Sequence, residues 1–347
     1  MNVVELRNVT KRFDEFVAVK DLSFEVKQGS VFGLLGPNGA GKTTSIRMIV
    51  NIFAPDTGEV VVLGEHVTTE LQQRIGYLPE ERGLYLRMKV IDVLRFFAAL
   101  YGVPEVEATA EVEDWLERFR VPEYRDRKVE ELSKGNQQKI QFIAAILHDP
   151  QVLIMDEPFS GLDPVNVQLL KEAFLEMRDR GKTLIFSTHQ MEQVEELCEA
   201  IAIIDRGRVV ESGPLREVKR RMGRQVVRLA VEQTDGAAAG ARPAIDAERG
   251  NGPGWIQEIP GVTLTRRGQD YLEMHVASGT DPESILQAAL ARGERVIRFE
   301  IADPSLEEIF IERVGHRAIE EERHLAGGRH DPDEAATEPA PEEVTAP

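Results

Sequence analysis

Five apolar residues, Val31-Phe32-Gly33-Leu34-Leu35, run directly into Gly36-Pro37-Asn38-Gly39-Ala40-Gly41-Lys42-Thr43, a match to G-x-x-x-x-G-K-[ST]. An uninterrupted apolar run reads as a strand buried on both faces, which requires helices to cover it. The stretch from Lys42 onward has helical spacing. Glycines at these intervals let the backbone wrap a phosphate with its N–H groups turned inward, and the following helix adds its positive N-terminal end. Lys42 has the reach for the β- and γ-phosphates, and the Thr43 hydroxyl suits Mg²⁺. The motif predicts a nucleoside triphosphate site in an α/β fold. By itself it leaves kinase, GTPase and ATPase open.

A second constellation narrows the chemistry. Val152-Leu153-Ile154-Met155-Asp156-Glu157 is an apolar strand that delivers two adjacent carboxylates at its end. Asp156 is suited to holding Mg²⁺, directly or through water. Glu157 stands where a general base could polarise an attacking water. An acidic pair after a strand is ordinarily a solvated turn; beside a phosphate loop the functional reading prevails.

The remaining chain supplies the frame. Val3 to Arg7 and Leu22 to Val26 alternate as strands, and residues 86 to 148 lose strand character, with helical spacing over Asp92–Tyr101, Val106–Arg118 and Gly135–Leu147. Thr183 to Ser187 and Ala200 to Asp205 return to strands, so the expectation is a parallel sheet with a helical insertion. Near Arg220 the composition shifts. Residues 235–254 are rich in Gly, Ala and Pro and read as a loop or linker. A hairpin around residues 262–276, a helix from Pro282 to Ala291, a strand from Val296 to Ile301 and a last helix from Ser305 to Val314 form a small α+β domain. From His316 the chain holds 9 acidic and 3 basic residues with Pro332, Pro339 and Pro341 among them, a composition expected to be disordered.

Composition excludes some partners. With 60 acidic against 42 basic residues, a net charge of −18 disfavours DNA or RNA held by bulk electrostatics. No apolar stretch reaches the ~18 residues of a membrane-spanning helix, and the N-terminus lacks a signal-peptide pattern. The expected locale is therefore cytoplasmic, without direct membrane insertion. The single cysteine, Cys198, reads as a core residue and excludes an internal disulfide. His66, His148, His275, His316, His324 and His330 show no metal-ligand spacing.

Leu132-Ser133-Lys134-Gly135-Asn136-Gln137-Gln138, shortly before Asp156-Glu157, resembles the signature sequence of ABC ATPases. Ser160-Gly161-Leu162-Asp163 is similar to that family's D-loop, His189 after Leu184-Ile185-Phe186-Ser187-Thr188 to its switch histidine, and Phe13 to the position where the family stacks an aromatic ring on adenine. The resemblance covers residues 1 to about 215, with five motifs in the expected order. Two departures, Glu80 in place of a loop glutamine and Asn136 where the signature commonly has glutamine, together with Pro304-Ser305-Leu306-Glu307-Glu308-Ile309-Phe310, resemble the sodium- and drug-efflux (ABC-2 type) branch.

The resemblance implies a P-loop ABC ATPase domain over residues 1–219, with a helical subdomain at about 86–148. An accessory α+β domain over 220–315 and an acidic tail over 316–347 follow. It implies ATP and Mg²⁺ as ligands, with Gly36 to Thr44 around the phosphates. Lys42, Glu157 and His189 would be catalytic, and Thr43, Glu80 and Asp156 would lie at the metal. Two copies would close on two ATPs, Ser133 and Gly135 of one reaching the nucleotide of the other, with Asp163 at the junction. A separate integral membrane permease would be the second partner, docked near Glu80, with Leu84, Tyr85 and Leu86 read either as exposed contacts to it or as ordinary core residues. Glu80 departs from the glutamine usual in that loop, and its charge is expected to alter how the loop senses the γ-phosphate. The competing class is a soluble ABC ATPase acting on ribosomes or DNA. Against it stand the single phosphate loop, the lack of a heptad run and the acidic balance.

Overall fold

The structure, a computed structural model, describes residues 1–81, 83–232, 254–268 and 271–315. The expected linker, apart from Gly254, the hairpin turn at Gln269-Asp270 and the acidic tail lie outside the described residues. The chain opens with two long strands, β1 (Asn2–Phe13) and β2 (Phe16–Lys27), paired antiparallel. Next come β3 (Val31–Leu35), α1 (Lys42–Ile49), β4 (Thr57–Val62), β5 (Glu65–His66), α2 (Thr69–Gln72) and β6 (Ile75–Leu78). Helices α3 (Val90–Leu100), α4 (Glu105–Arg118) and α5 (Lys134–Ile146) make up the insertion. The chain then returns to strands and helices in turn, with β7 (Val152–Asp156), α6 (Pro164–Asp179), β8 (Thr183–Thr188), α7 (Met191–Leu197), β9 (Ala200–Asp205), β10 (Arg208–Pro214) and α8 (Leu215–Arg220).

The central sheet has the order β10-β9-β3-β8-β7-β6, parallel except for the β9–β10 pair. Every residue of β3, β7 and β8 is buried, as continuous apolar runs require when both faces are covered. On one face lies an antiparallel sheet, β2-β1-β4-β5; its Val4, Leu6, Val19 and Val26 share a core with Phe32, Leu34, Ile154 and Ile185. The other face packs against the helices. There a file of rings, Trp115, Phe119, Phe142, Phe174 and Phe186, with successive centroids 5.7–5.9 Å apart, runs from α4 through α5 and α6 to β8.

A third, wholly antiparallel sheet follows, of order β12-β13-β11-β14. It consists of β11 (Arg224–Val231), β12 (Val262–Arg267), β13 (Leu272–Ala277) and β14 (Val296–Ala302), and α9 (Glu283–Ala291) adds Ile285 and Ala289 to its core. The last helix, α10 (Leu306–Phe310), is placed differently. Its buried Leu306 and Ile309 belong to the core of the central sheet with Val194, Leu197, Leu215 and Val218, and the Leu306 amide donates to Glu195 of α7 at 2.7 Å. Among the described residues no helix is long and apolar enough to cross a membrane.

Candidate functional site

In a parallel sheet the loops after the C-terminal strand ends meet along one rim. Here β3, β8, β7 and β6 are neighbours in that order, so the loops carrying Gly36–Gly41, His189, Glu157 and Glu80 converge although they lie far apart in the chain. They enclose a cleft of about 470 Å³ lined by Pro37 to Thr44, Glu80, Glu157, Ser160 and His189, with Phe16 and Ala18 on one side.

The glycines are required by their surroundings. A Cβ on Gly36 would stand 2.3 Å from the Ile204 carbonyl oxygen. Gly41 has φ of 106°, and a Cβ there would stand 2.8 Å from the Ala18 oxygen. Helix α1 begins immediately afterwards with no side-chain cap and no acid in its first turn, which leaves its leading amides for an anion. Lys42 is buried, and its Nζ donates to the carbonyls of Gly36 at 2.8 Å and Pro37 at 3.3 Å.

The two carboxylates differ in surroundings. Asp156 is 1% exposed; its Oδ1 accepts from the Ser187 hydroxyl, and its Oδ2 is buried without a hydrogen-bond partner. Glu157 takes a left-handed conformation, φ 48°, that turns its side chain out of the strand line. Its amide is held at Ser187, by the carbonyl at 3.2 Å and the hydroxyl at 3.1 Å. Its carboxylate lies 3.1 Å from His189 Nδ1 and 3.6 Å from Lys42 Nζ. A carboxylate, an imidazole and an ammonium thus meet at a phosphate loop.

Helix α5 braces the rim. Gln141 Nε2 donates to the carbonyls of Pro79 at 3.1 Å and Glu81 at 3.2 Å, and Gln138 Nε2 donates to Pro158 at 3.3 Å. One turn of helix therefore holds the loop of Glu80 and the turn that follows Glu157.

Several expected residues lie elsewhere. Ser133 caps α5, accepting from the Asn136 amide, and is exposed; Gly135 faces Asn166 and Leu162. Asp163 caps α6, and the hydrogen bonds it accepts, first that from the Asn166 amide, hold its carboxyl below the ordinary range. None of the three lines the cleft. Phe13 is half-exposed but packs edge-on against Phe53 at 5.4 Å; the aromatic ring lining the cleft is Phe16, its cross-strand partner. Of the three residues read as contacts or core, Tyr85 and Leu86 are exposed whereas Leu84 is 7% exposed and belongs to the core. Its burial follows from packing against the insertion's helices. Gln138 and Ser187 lie within quoted motifs and Gln141 within an expected helix, but their partners, 20 to 62 residues away, left no local signal.

Residues 19–160 match the ABC transporter family, and residues 213–314 match the DrrA1-3-like ATP-binding protein C-terminal domain. The chain is similar to the ABC transporter ATP-binding protein YhaQ of Bacillus subtilis, 43% identical over 90% of this chain and 99% of that one. It is 34% identical to the Nod factor export ATP-binding protein I of Burkholderia thailandensis, over 90% of this chain and 97% of that one. Among solved structures, an ATP-binding subunit of an ABC transporter superposes with a TM-score of 0.60 at 30% identity, covering 64% of this chain and 93% of that one.

Proposed function

The chain belongs to the ABC transporter ATP-binding family, whose members hydrolyse ATP to drive transport. From that premise we propose that it energises an exporter of the sodium- or drug-efflux kind, as an ATP-clamped dimer on the cytoplasmic face of a separate membrane permease. The export direction is supported by the relative named for Nod factor export, which aligns over nearly its whole length. We assign residues 1–219 to nucleotide binding, with the helical subdomain at about 86–148, and 220–315 to an accessory domain.

The observation that carries the reading is the contact of Glu157 with both His189 and Lys42 at the mouth of the phosphate loop. Lys42 Nζ donates to two loop carbonyls and lies 3.6 Å from the Glu157 carboxylate. Phosphates entering the loop compete for that ammonium and release the Glu157 carboxylate to polarise a water, while His189 orients the carboxylate and the γ-phosphate. The residues also fit magnesium: Asp156 Oδ2 is a buried oxygen without a partner, and Thr43 and Glu80 offer oxygens along the cleft. Bound there, the ion would neutralise charge on the β- and γ-phosphates.

Ser133 and Gly135 lie outside their own chain's cleft, as an arrangement in which they serve the second copy's ATP requires. Asp163 would lie at the same junction. Catalysis would then rest on positioning and charge stabilisation. Mg-ATPase assays and ATP-dependent dimerisation of the wild type and Glu157→Gln test the proposal. Loss of a general base costs about 10²–10⁴-fold in rate, so the variant should bind ATP, hydrolyse almost none and accumulate as a dimer. Hydrolysis at the wild-type rate would remove Glu157 from the mechanism.

A further inference from the structure

The loop of Glu80 leaves β6 at Leu78 and lies between the central sheet and the inserted helices. Its backbone oxygens at Pro79 and Glu81 flank the residue whose side chain lines the cleft. Both oxygens accept hydrogen bonds from one side-chain nitrogen, Gln141 Nε2, at 3.1 and 3.2 Å. A carboxamide carries two N–H groups, one for each carbonyl, so the bracket uses the donor capacity of that nitrogen fully. Gln141 itself is 5% exposed, on the inner side of α5. Three residues earlier on the same face of the helix, Gln138 makes the equivalent tie to Pro158, next to Glu157.

We infer that Gln141 is a positioning residue for the ATPase reaction: it brackets the backbone on both sides of Glu80 and makes that carboxylate follow the movements of α5. The inference rests on the functional reading above and adds to it. Helix α5 is capped by Ser133, the residue assigned to the second copy's nucleotide, and Gln141 lies eight residues along the same rigid element, about 12 Å by helical rise. A shift of α5 on closure therefore displaces Glu80 in its own cleft, linking the two nucleotide sites of a dimer. Apolar side chains of similar size fill the space but donate nothing, so both carbonyls lose the donor that ties them to α5.

The test is a double-mutant cycle on the full chain with Gln141→Met, which keeps the volume and removes the N–H groups, and Glu80→Ala. Equilibrium ATP binding, single-turnover hydrolysis and hydrogen exchange of the segment around residues 79–86 are measured for each. Gln141→Met is expected to bind ATP within about threefold of wild type, to exchange faster in that segment and to hydrolyse at least tenfold more slowly, a change of about 1.4 kcal/mol. In the Glu80→Ala background the same substitution is expected to have no further effect on the rate. An unchanged rate in Gln141→Met, or losses that multiply in the double variant, would overturn the inference. Both outcomes are independent of the Glu157→Gln result, so failure here leaves the ATPase reading standing, and failure there is visible in the wild-type comparison alone.

Discussion

Glu157 shows how much of the site depends on single backbone angles. A left-handed conformation at a non-glycine residue is uncommon and persists where its surroundings hold it. Here the Ser187 carbonyl and hydroxyl both accept from the Glu157 amide, and the same hydroxyl donates to Asp156. One serine thus orients both carboxylates. The adenine end of the cleft can be resolved at the same scale. Phe13 has an open face but packs on Phe53, whereas Phe16 lines the cleft. Because the edge-on contact with Phe53 fixes the half-exposed ring of Phe13 as a stacking surface beside the cleft, we expect Phe13→Ala to weaken Mg-ATP binding by about 1–3 kcal/mol through loss of stacking, with Phe13→Trp restoring it, and Phe16→Ala to cost less. Isothermal titration decides; a larger loss from Phe16→Ala would transfer the base to that ring.

Among elements, α5 ties the insertion to the catalytic rim, by its glutamines at the loops and by Phe142 within the file of rings. Phe142 is fully buried and touches the rings of Trp115, Phe119 and Phe174. Phe142→Ala is expected to destabilise the chain by about 3–5 kcal/mol, read by denaturant unfolding. Helix α10 depends on charge instead. Its capping box joins Ser305 and Glu308, and Glu308 Oε1 lies 2.7 Å from His275 Nε2 on β13. Burial works to raise the Glu308 pKa, but the His275 hydrogen bond and the Ser305 contacts outweigh it and hold the carboxyl below its ordinary value of 4.5. A carboxyl depressed in the folded state stabilises fully above its unfolded pKa, and the stabilisation is lost as pH falls through the folded one. The stability gap between wild type and Glu308→Gln should therefore shrink as pH falls below about 4.5, followed by unfolding across an acid series.

For the molecule as a whole, ligand binding is linked to folding. Mg-ATP at 100 times its Kd stabilises a chain that binds it only when folded by about 2.7 kcal/mol, which corresponds to several degrees in melting temperature. Lys42→Ala, which removes the ammonium at the centre of the phosphate loop, should abolish that shift while the unliganded melting temperature changes less. The docking of α10 on α7 means that the C-terminal region and the helix that follows His189 share one packed core.

The sequence by itself determined the chemistry that is contiguous in the chain. The phosphate loop, the Asp156-Glu157 pair and the strands that deliver them were legible because a few adjacent residues carry both the backbone conformation and the reactive groups. The alternation of β1 and β2 and the helical spacing of the insertion were legible for the same reason, since side-chain period is local. What only the tertiary structure decided depends on contacts across the chain. The burial of Leu84, the approach of Phe16 rather than Phe13 to the cleft, the bracket of Gln141 about Glu80 and the seat of Leu306 and Ile309 in the central core all pair residues from separate elements. No local period encodes such a pairing. It arises when close packing brings distant elements together and leaves each buried polar group to find its partner.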